Sequence, residues 1–303
     1  EFILGEKGYA FPIVQSNVAL QNNSEFVDIT YRVDSKKKSF VRRINIKGNT
    51  KTNDEVYRRE LRQFESSTYS VNKVDRSKIR LQRLKFVNQV DVEKIIVDQE
   101  NGYMDIDFVL EETQSGEFKL GAGYSDSSGA IFNVKVQQDN FLGKGNNVAL
   151  ELEKSSYKKL IRYRNTDPYF TKNGMSKSTN LVFSETDVSS TSTAAYISDT
   201  IAYGVNYNVP ISESRSYGYG AEVILTDYTT TIGSPSNVTN FISKYGDSHF
   251  GVLFNASIVE DTRDRTVYAT QGRRQSLTSR ICLLYTSDAA DEGLGVDLGG
   301  RRI

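Results

Sequence analysis

From Phe118 onward the sequence alternates with a period of two, and the connections between its alternating runs alternate as well. Ile201, Tyr203, Val205 and Tyr207 fall on one face of an extended strand, and Thr200, Ala202, Gly204 and Asn206 on the other, because successive strand side chains point to opposite faces. The same separation holds for Tyr217, Tyr219, Ala221, Val223 and Leu225, for Phe250, Val252, Phe254, Ala256 and Ile258, and for Val148, Leu150 and Leu152. Two architectures accept such strands: a β-sandwich that buries the apolar faces, and a transmembrane barrel that turns them to lipid. Runs of about 8–11 residues suit a tilted bilayer crossing. Tyrosines gather toward the run ends, as in an interfacial girdle. Connections at 125–129, 155–159, 185–198 and 229–248 lengthen along the chain, whereas those at 143–147, 171–176, 210–216 and 261–272 are mostly shorter. Short turns at one end and long loops at the other favour the barrel.

Composition bounds the alternatives. The 303 residues carry 38 basic and 38 acidic side chains, so there is no basic excess for a nucleic-acid partner. One cysteine excludes an internal disulfide framework and a multi-cysteine metal site. No run of about 18 apolar residues predicts a transmembrane helix. The negative mean hydropathy is what alternating barrel strands produce, since each lipid-facing residue has a polar neighbour. Charge is uneven: 37 of the first 115 residues are charged against 39 of the following 188, which divides the chain near Ser115. The opening Glu1-Phe2-Ile3-Leu4-Gly5 lacks both an initiating Met and a basic leader, which places position 1 inside a longer chain as an expectation.

The first part reads as a small α+β module of order β-α-α-β-β. A strand over 41–47 ends at Gly48-Asn49, and Thr52 or Asn53 caps a helix carrying Glu55, Val56, Arg59, Glu60 and Leu61. A second helix over 74–84 is followed by strands over 86–98 and 103–112, joined at Glu100-Asn101-Gly102. Phe26 to Val33 resembles the last strand of a preceding copy. The paired acids Asp105 and Asp107 alternate with apolar residues and read, like Glu111-Glu112, as a solvated strand face. His249 opens a strand with no catalytic partner nearby, at a surface or lumen position. No phosphate loop, metal-spaced cluster or nucleophile elbow appears, so neither catalytic residues nor a cofactor is expected. An exposed sheet edge that accepts a peptide strand suits the module better.

Several segments, in order and spacing, resemble the Omp85 family of outer-membrane assembly factors. Gly8-Tyr9-Ala10-Phe11-Pro12 is similar to that family's penultimate POTRA domain. Val41-Arg42-Arg43-Ile44, Gly48-Asn49-Thr50, Asp54-Glu55-Val56 and Arg58-Arg59-Glu60 resemble its last POTRA domain. Val136 to Gly143 and Asn165 to Phe170 resemble its second and fourth barrel strands. The resemblance implies the end of one POTRA domain over 1–39, a complete one over 40–115, and the N-terminal half of an antiparallel transmembrane β-barrel over 116–280, interrupted after eight to nine of sixteen strands.

What the resemblance further implies is assembly of barrel proteins into the bacterial outer membrane without an enzymatic step, with the POTRA part in the periplasm. The implied partners are accessory lipoproteins of the BamD kind, unfolded outer-membrane proteins, periplasmic chaperones and outer-membrane lipid. It assigns Glu60 to the lipoprotein contact. It makes Glu117, Phe118, Lys119, Leu120, Gly121, Ala122, Gly123 and Tyr124 the gate strand that pairs with substrate strands. Gly121 and Gly123 would weaken pairing there, or simply leave room inside the barrel. Another Omp85 translocator, of the two-partner secretion or TamA-like type, and a passive porin-like channel are the alternatives. Beyond Arg280 the alternation stops, and residues 281–303, with Cys282, read as a non-native, adapter-like tail.

Overall fold

The computed structural model describes residues 1–20, 27–126, 129–187, 195–212, 214–263 and 269–283. Phe26, the centres of the connections at 125–129, 185–198 and 261–272, residue 213 and the tail from 284 lie outside the described residues. The chain separates into two compact units, with the chain boundary between Ser115 and Gly116 and the turn Leu142–Lys144 grouping with the first.

In the first unit, helix α1 (Phe2–Glu6) precedes a hairpin of β1 (Ile13–Leu20) and β2 (Val27–Asp34). Then follow β3 (Phe40–Lys47), α2 (Asp54–Arg58), β4 (Ser67–Thr68), α3 (Val71–Gln82), β5 (Val87–Asp98) and β6 (Tyr103–Glu112). The sheet order is β4-β3-β6-β5, with β3 parallel and β5 antiparallel to the central β6. The order β-α-α-β-β holds, with the two-residue β4 as an addition. Helix α3 starts three residues earlier than its apolar period suggests, because Ser70 caps it by accepting from the Lys73 amide. Helix α2 stops at Arg58, so Glu60 and Leu61 lie just beyond it. Val56, Tyr57, Val74 and Leu81 from the helical side and Val41, Ile44, Ile106 and Phe108 from the sheet form one buried core, which Ala10 joins. Gly48 sits at φ +88°, where a Cβ would lie 2.0 Å from the Leu110 carbonyl oxygen, so only glycine lets β3 turn there against β6.

The second unit is one antiparallel meander of nine strands: β7 (Gly116–Ser125), β8 (Gly129–Phe141), β9 (Asn146–Lys154), β10 (Lys158–Asp167), β11 (Ser176–Asp187), β12 (Tyr196–Pro210), β13 (Arg215–Thr230), β14 (Ser248–Asp261) and β15 (Arg274–Leu283). Register turns the alternation into a surface. Phe118, Val136, Leu150, Tyr163, Leu181, Tyr203, Val223, Val252 and Leu283 stand opposite one another in an unbroken row across all nine strands. The parallel row Leu120, Val134, Leu152, Ile161, Phe183, Ile201, Leu225 and Phe250 lies beside it. These side chains are largely exposed, with Ile161 at 48% and Phe250 at 48%, so they are not the core of a sandwich. A continuous exposed apolar belt of this extent is a lipid-facing surface.

The opposite face carries Lys119, Lys135, Glu151 and Arg162 in a cross-strand row, with Arg162 donating to Glu151 at 2.9 Å. At the short-turn end of the lipid face, Phe170, Tyr207, Tyr219 and Tyr217 follow one another at centroid distances of 5.9, 5.4 and 6.3 Å, an aromatic girdle.

Two elements differ from the sequence reading. The connection between β13 and β14 contains helix α4 (Ser236–Tyr245), whose Phe241 packs on His249 at 4.9 Å. His249 is consequently buried, on the face opposite the lipid belt, with Nε2 3.1 Å from the Gly246 carbonyl oxygen. Strand β15 also continues past Arg280: Ile281 and Leu283 keep the lipid-facing parity opposite Phe254 and Val252. Three residues are too short a run for alternation to register in the sequence alone.

Candidate functional site

The candidate gate residues Glu117 to Tyr124 all lie in β7, at the end of the nine-stranded sheet. On one side β7 pairs with β8 from Gly116↔Gln138 to Ser125↔Gly129. On its other side no strand stands among the described residues. Phe118, Leu120 and Tyr124, on the lipid face, are 67%, 72% and 78% exposed, against 39% for Leu152 on an inner strand. They are flanked on one side only. Glu117 and Lys119 share the polar face and pair at 2.8 Å. A Cβ at Gly123 would meet nothing within 4 Å, and one at Gly121 would make only ordinary contact with Asn133. No neighbouring atom in this sheet requires glycine at either position, which leaves their backbone freedom and weakened strand propensity as what they contribute.

Chemically, such a strand offers a row of backbone donors and acceptors along a surface that faces hydrocarbon.

The first unit has its own open edge. Strand β5 closes one side of the four-stranded sheet, and its Ile95, Ile96 and Val97 are exposed at 42%, 51% and 42%. Beside it lies a cleft of about 270 Å³ lined by Phe11, Ile13, Ile96, Tyr103 and Met104, with Lys36 and Lys37 at its rim.

The acids of this unit are structural, and the reading of Asp105 and Asp107 as a solvated face needs correcting. Both are buried, at 8% and 1% exposure, because β6 is central and long basic side chains from β3 lie over its polar face. Arg42 donates to Asp105 at 2.6 and 3.0 Å, and that hydrogen bond holds the carboxyl below its ordinary range. Burial pushes Asp107 upward, but Lys47 at 2.5 Å and Asn45 at 2.7 Å outweigh it and leave the group lowered. Glu112 is more heavily engaged. Its two oxygens accept from the amides of Thr50, Lys51 and Thr52, from the Thr50 hydroxyl and from Tyr57 Oη, all within 3.1 Å. Burial opposes ionisation, yet these bonds prevail and bring Glu112 down to about 2. The sequence shows only a charged strand end; the loop that wraps the carboxylate is visible in three dimensions alone.

Glu60, the candidate partner contact, follows α2 and is only 6% exposed. Its Oε2 lies 2.6 Å from Arg80 Nη2 on α3. Its carboxylate is thus engaged within the fold, and the candidate gate strand and Glu60 belong to different units. Among the described residues no group of three or more His, Cys, Asp or Glu side chains is arranged to hold a metal ion. No described helix is long and apolar enough to cross a membrane.

Residues 39–113 match the POTRA family, described as a surface antigen variable number repeat, and residues 140–290 match the Omp85 superfamily domain. The outer membrane protein assembly factor BamA of Neisseria meningitidis serogroup B is 29% identical over 290 residues, covering 92% of this chain and 36% of that protein. The chain thus spans about a third of that relative's length. The crystal structure of BamA from Haemophilus ducreyi lacking POTRA domains 1–3 superposes with a TM-score of 0.78 at 26% identity, over 93% of this chain and 55% of that one. CdiB from Escherichia coli, with a TM-score of 0.54 at 12% identity over 97% of this chain and 53% of its own, shares the fold.

Proposed function

Because the chain belongs to the Omp85 family and carries a POTRA module ahead of outer-membrane barrel strands, we propose that its protein assembles β-barrel proteins into the bacterial outer membrane. The observation that carries this reading is the unbroken lipid-facing belt across the nine antiparallel strands that follow the POTRA module. Substrate strands pair with Glu117–Tyr124, and the free energy comes from satisfying backbone groups in hydrocarbon, so no cofactor or catalytic residue takes part. The POTRA unit receives unfolded substrates from periplasmic chaperones, its β5 edge accepting an extended segment through main-chain hydrogen bonds. Depleting the full-length protein should lower the folded fraction of other outer-membrane barrel proteins; normal assembly would refute the reading.

The accessory lipoprotein, BamD-like, docks near Glu60. Because Glu60 is paired with Arg80, a single reversal, Glu60→Arg, sets a buried cation against the partly buried Arg80 and should lower the thermal midpoint as well as weaken lipoprotein retention. The exchange Glu60→Arg with Arg80→Glu restores the internal pair. Recovery of the thermal midpoint with lipoprotein retention still impaired is the expected outcome in co-purification. Full recovery of both would mean that Glu60 serves the fold alone. The fold shared with CdiB, at 12% identity, favours no second reading.

A further inference from the structure

The lipid face changes character at its short-turn end. One row beyond Tyr217, Ile258 and Leu277, the register places Arg215 opposite Glu260 and Glu260 opposite Gln275. Arg215 donates from Nε to Glu260 Oε1 at 2.9 Å, and Arg273 Nη2 stands 3.8 Å from Glu260 Oε2. One carboxylate, 21% exposed, therefore steadies two guanidiniums whose side chains are 60% and 67% exposed. The cations outnumber the acid, and each guanidinium keeps N–H donors beyond those Glu260 engages.

We propose that Arg215 and Arg273 form a binding site for the phosphate of an anionic phospholipid in the periplasmic leaflet. The acyl chains lie along Tyr217, Ile258 and Leu277, and the phosphate meets the two guanidiniums at the rim. The placement argues for lipid over a protein partner, because the arginines continue the belt that faces hydrocarbon and stand where a headgroup must lie. Guanidinium forks match phosphate oxygens in bidentate geometry, and Glu260 holds both arms in place, reducing the ordering cost of binding. The short-turn end is the periplasmic side of an outer-membrane barrel. The inference rests on the membrane placement of the sheet and is independent of assembly activity.

The test uses the full-length protein in nanodiscs of phosphatidylcholine with a minor share of phosphatidylglycerol, followed by mass spectrometry of the lipids that remain bound after mild extraction. The wild type should be enriched in phosphatidylglycerol, and R215Q/R273Q should lose about tenfold of that enrichment. R215K/R273K, which keep the charge but lose the forks, should retain part of it, and E260Q, whose amide oxygen still accepts from Arg215 while the competing charge is gone, should raise it. Unchanged enrichment in R215Q/R273Q would overturn the proposal, as would equal loss of phosphatidylcholine. Dependence of the effect on an added accessory lipoprotein would assign the arginines to a protein partner and also overturn it. Should R215Q/R273Q fail to fold, the E260Q result decides: no rise in enrichment contradicts the site.

Discussion

Glu112→Ala should destabilise the first unit by about 3–5 kcal/mol, read as a shift in urea midpoint by far-ultraviolet circular dichroism. The carboxylate gathers three successive amides and two hydroxyls from the Thr50–Thr52 loop and Tyr57, and its removal leaves all of them to find other partners. Glu112→Gln should recover only part of the loss, since an amide has one acceptor oxygen and no charge. The pH dependence follows from the same bonds. Glu112 is held at about 2 against an ordinary 4.5, so its folded-state value is depressed. Its contribution is fully present above pH 4.5 and disappears as pH falls toward 2, a loss on the order of 3 kcal/mol. Asp105 and Asp107, both lowered, add acid sensitivity of the same sign. Glu112→Ala should flatten the decline between pH 5 and 2, and a decline as steep as that of the wild type would assign the effect to other groups.

The second large effect is expected in the belt. Val223 lies near the middle of β13, in the row that crosses all nine strands, and is 41% exposed toward lipid. Val223→Arg places a charge at membrane depth and should cost about 2–4 kcal/mol in reversible unfolding from lipid vesicles. Asn133→Arg, on the polar face of β8 opposite Gly121 and Glu153, should cost far less. Equal costs at the two positions would mean that the two faces do not differ in environment, contrary to a lipid-facing belt.

The strands were legible because a membrane sheet repeats one rule over many residues. Alternation in Ile201–Tyr207 or Phe250–Ile258 identifies a face without any knowledge of its neighbours, and the registers of β12 and β14 join those faces into one belt. Turn glycines such as Gly102, at φ +74°, were legible for a similar reason, since a local backbone demand selects the residue. Features set by long-range packing were not. Asp107 occupies the same alternating positions as a solvated acid would, and only the parallel pairing of β3 with β6 brings Lys47 and Asn45 over it. Glu60 looks like a surface acid until α3 supplies Arg80. Helix α4 was missed because Ser236–Tyr245 sits in a long connection whose polar residues read as loop; its order depends on Phe241 packing against Tyr228 and His249. For the proposed gate strand, the alternating character of Phe118–Tyr124 was readable, whereas its register against β8 is a property of pairing.

The proposed pairing of substrate strands with β7 is the centre of the functional account, and disulfide capture during assembly tests it most directly. Full-length protein carrying Lys119→Cys or Gly121→Cys would be expressed with a barrel substrate bearing single cysteines along its terminal strand. The account predicts cross-links at β7 with a two-residue periodicity along the substrate, well above those from Arg162→Cys on β10, whose two neighbours are already in place. Cross-links at β7 no stronger than at β10 would contradict pairing of substrate strands with this edge.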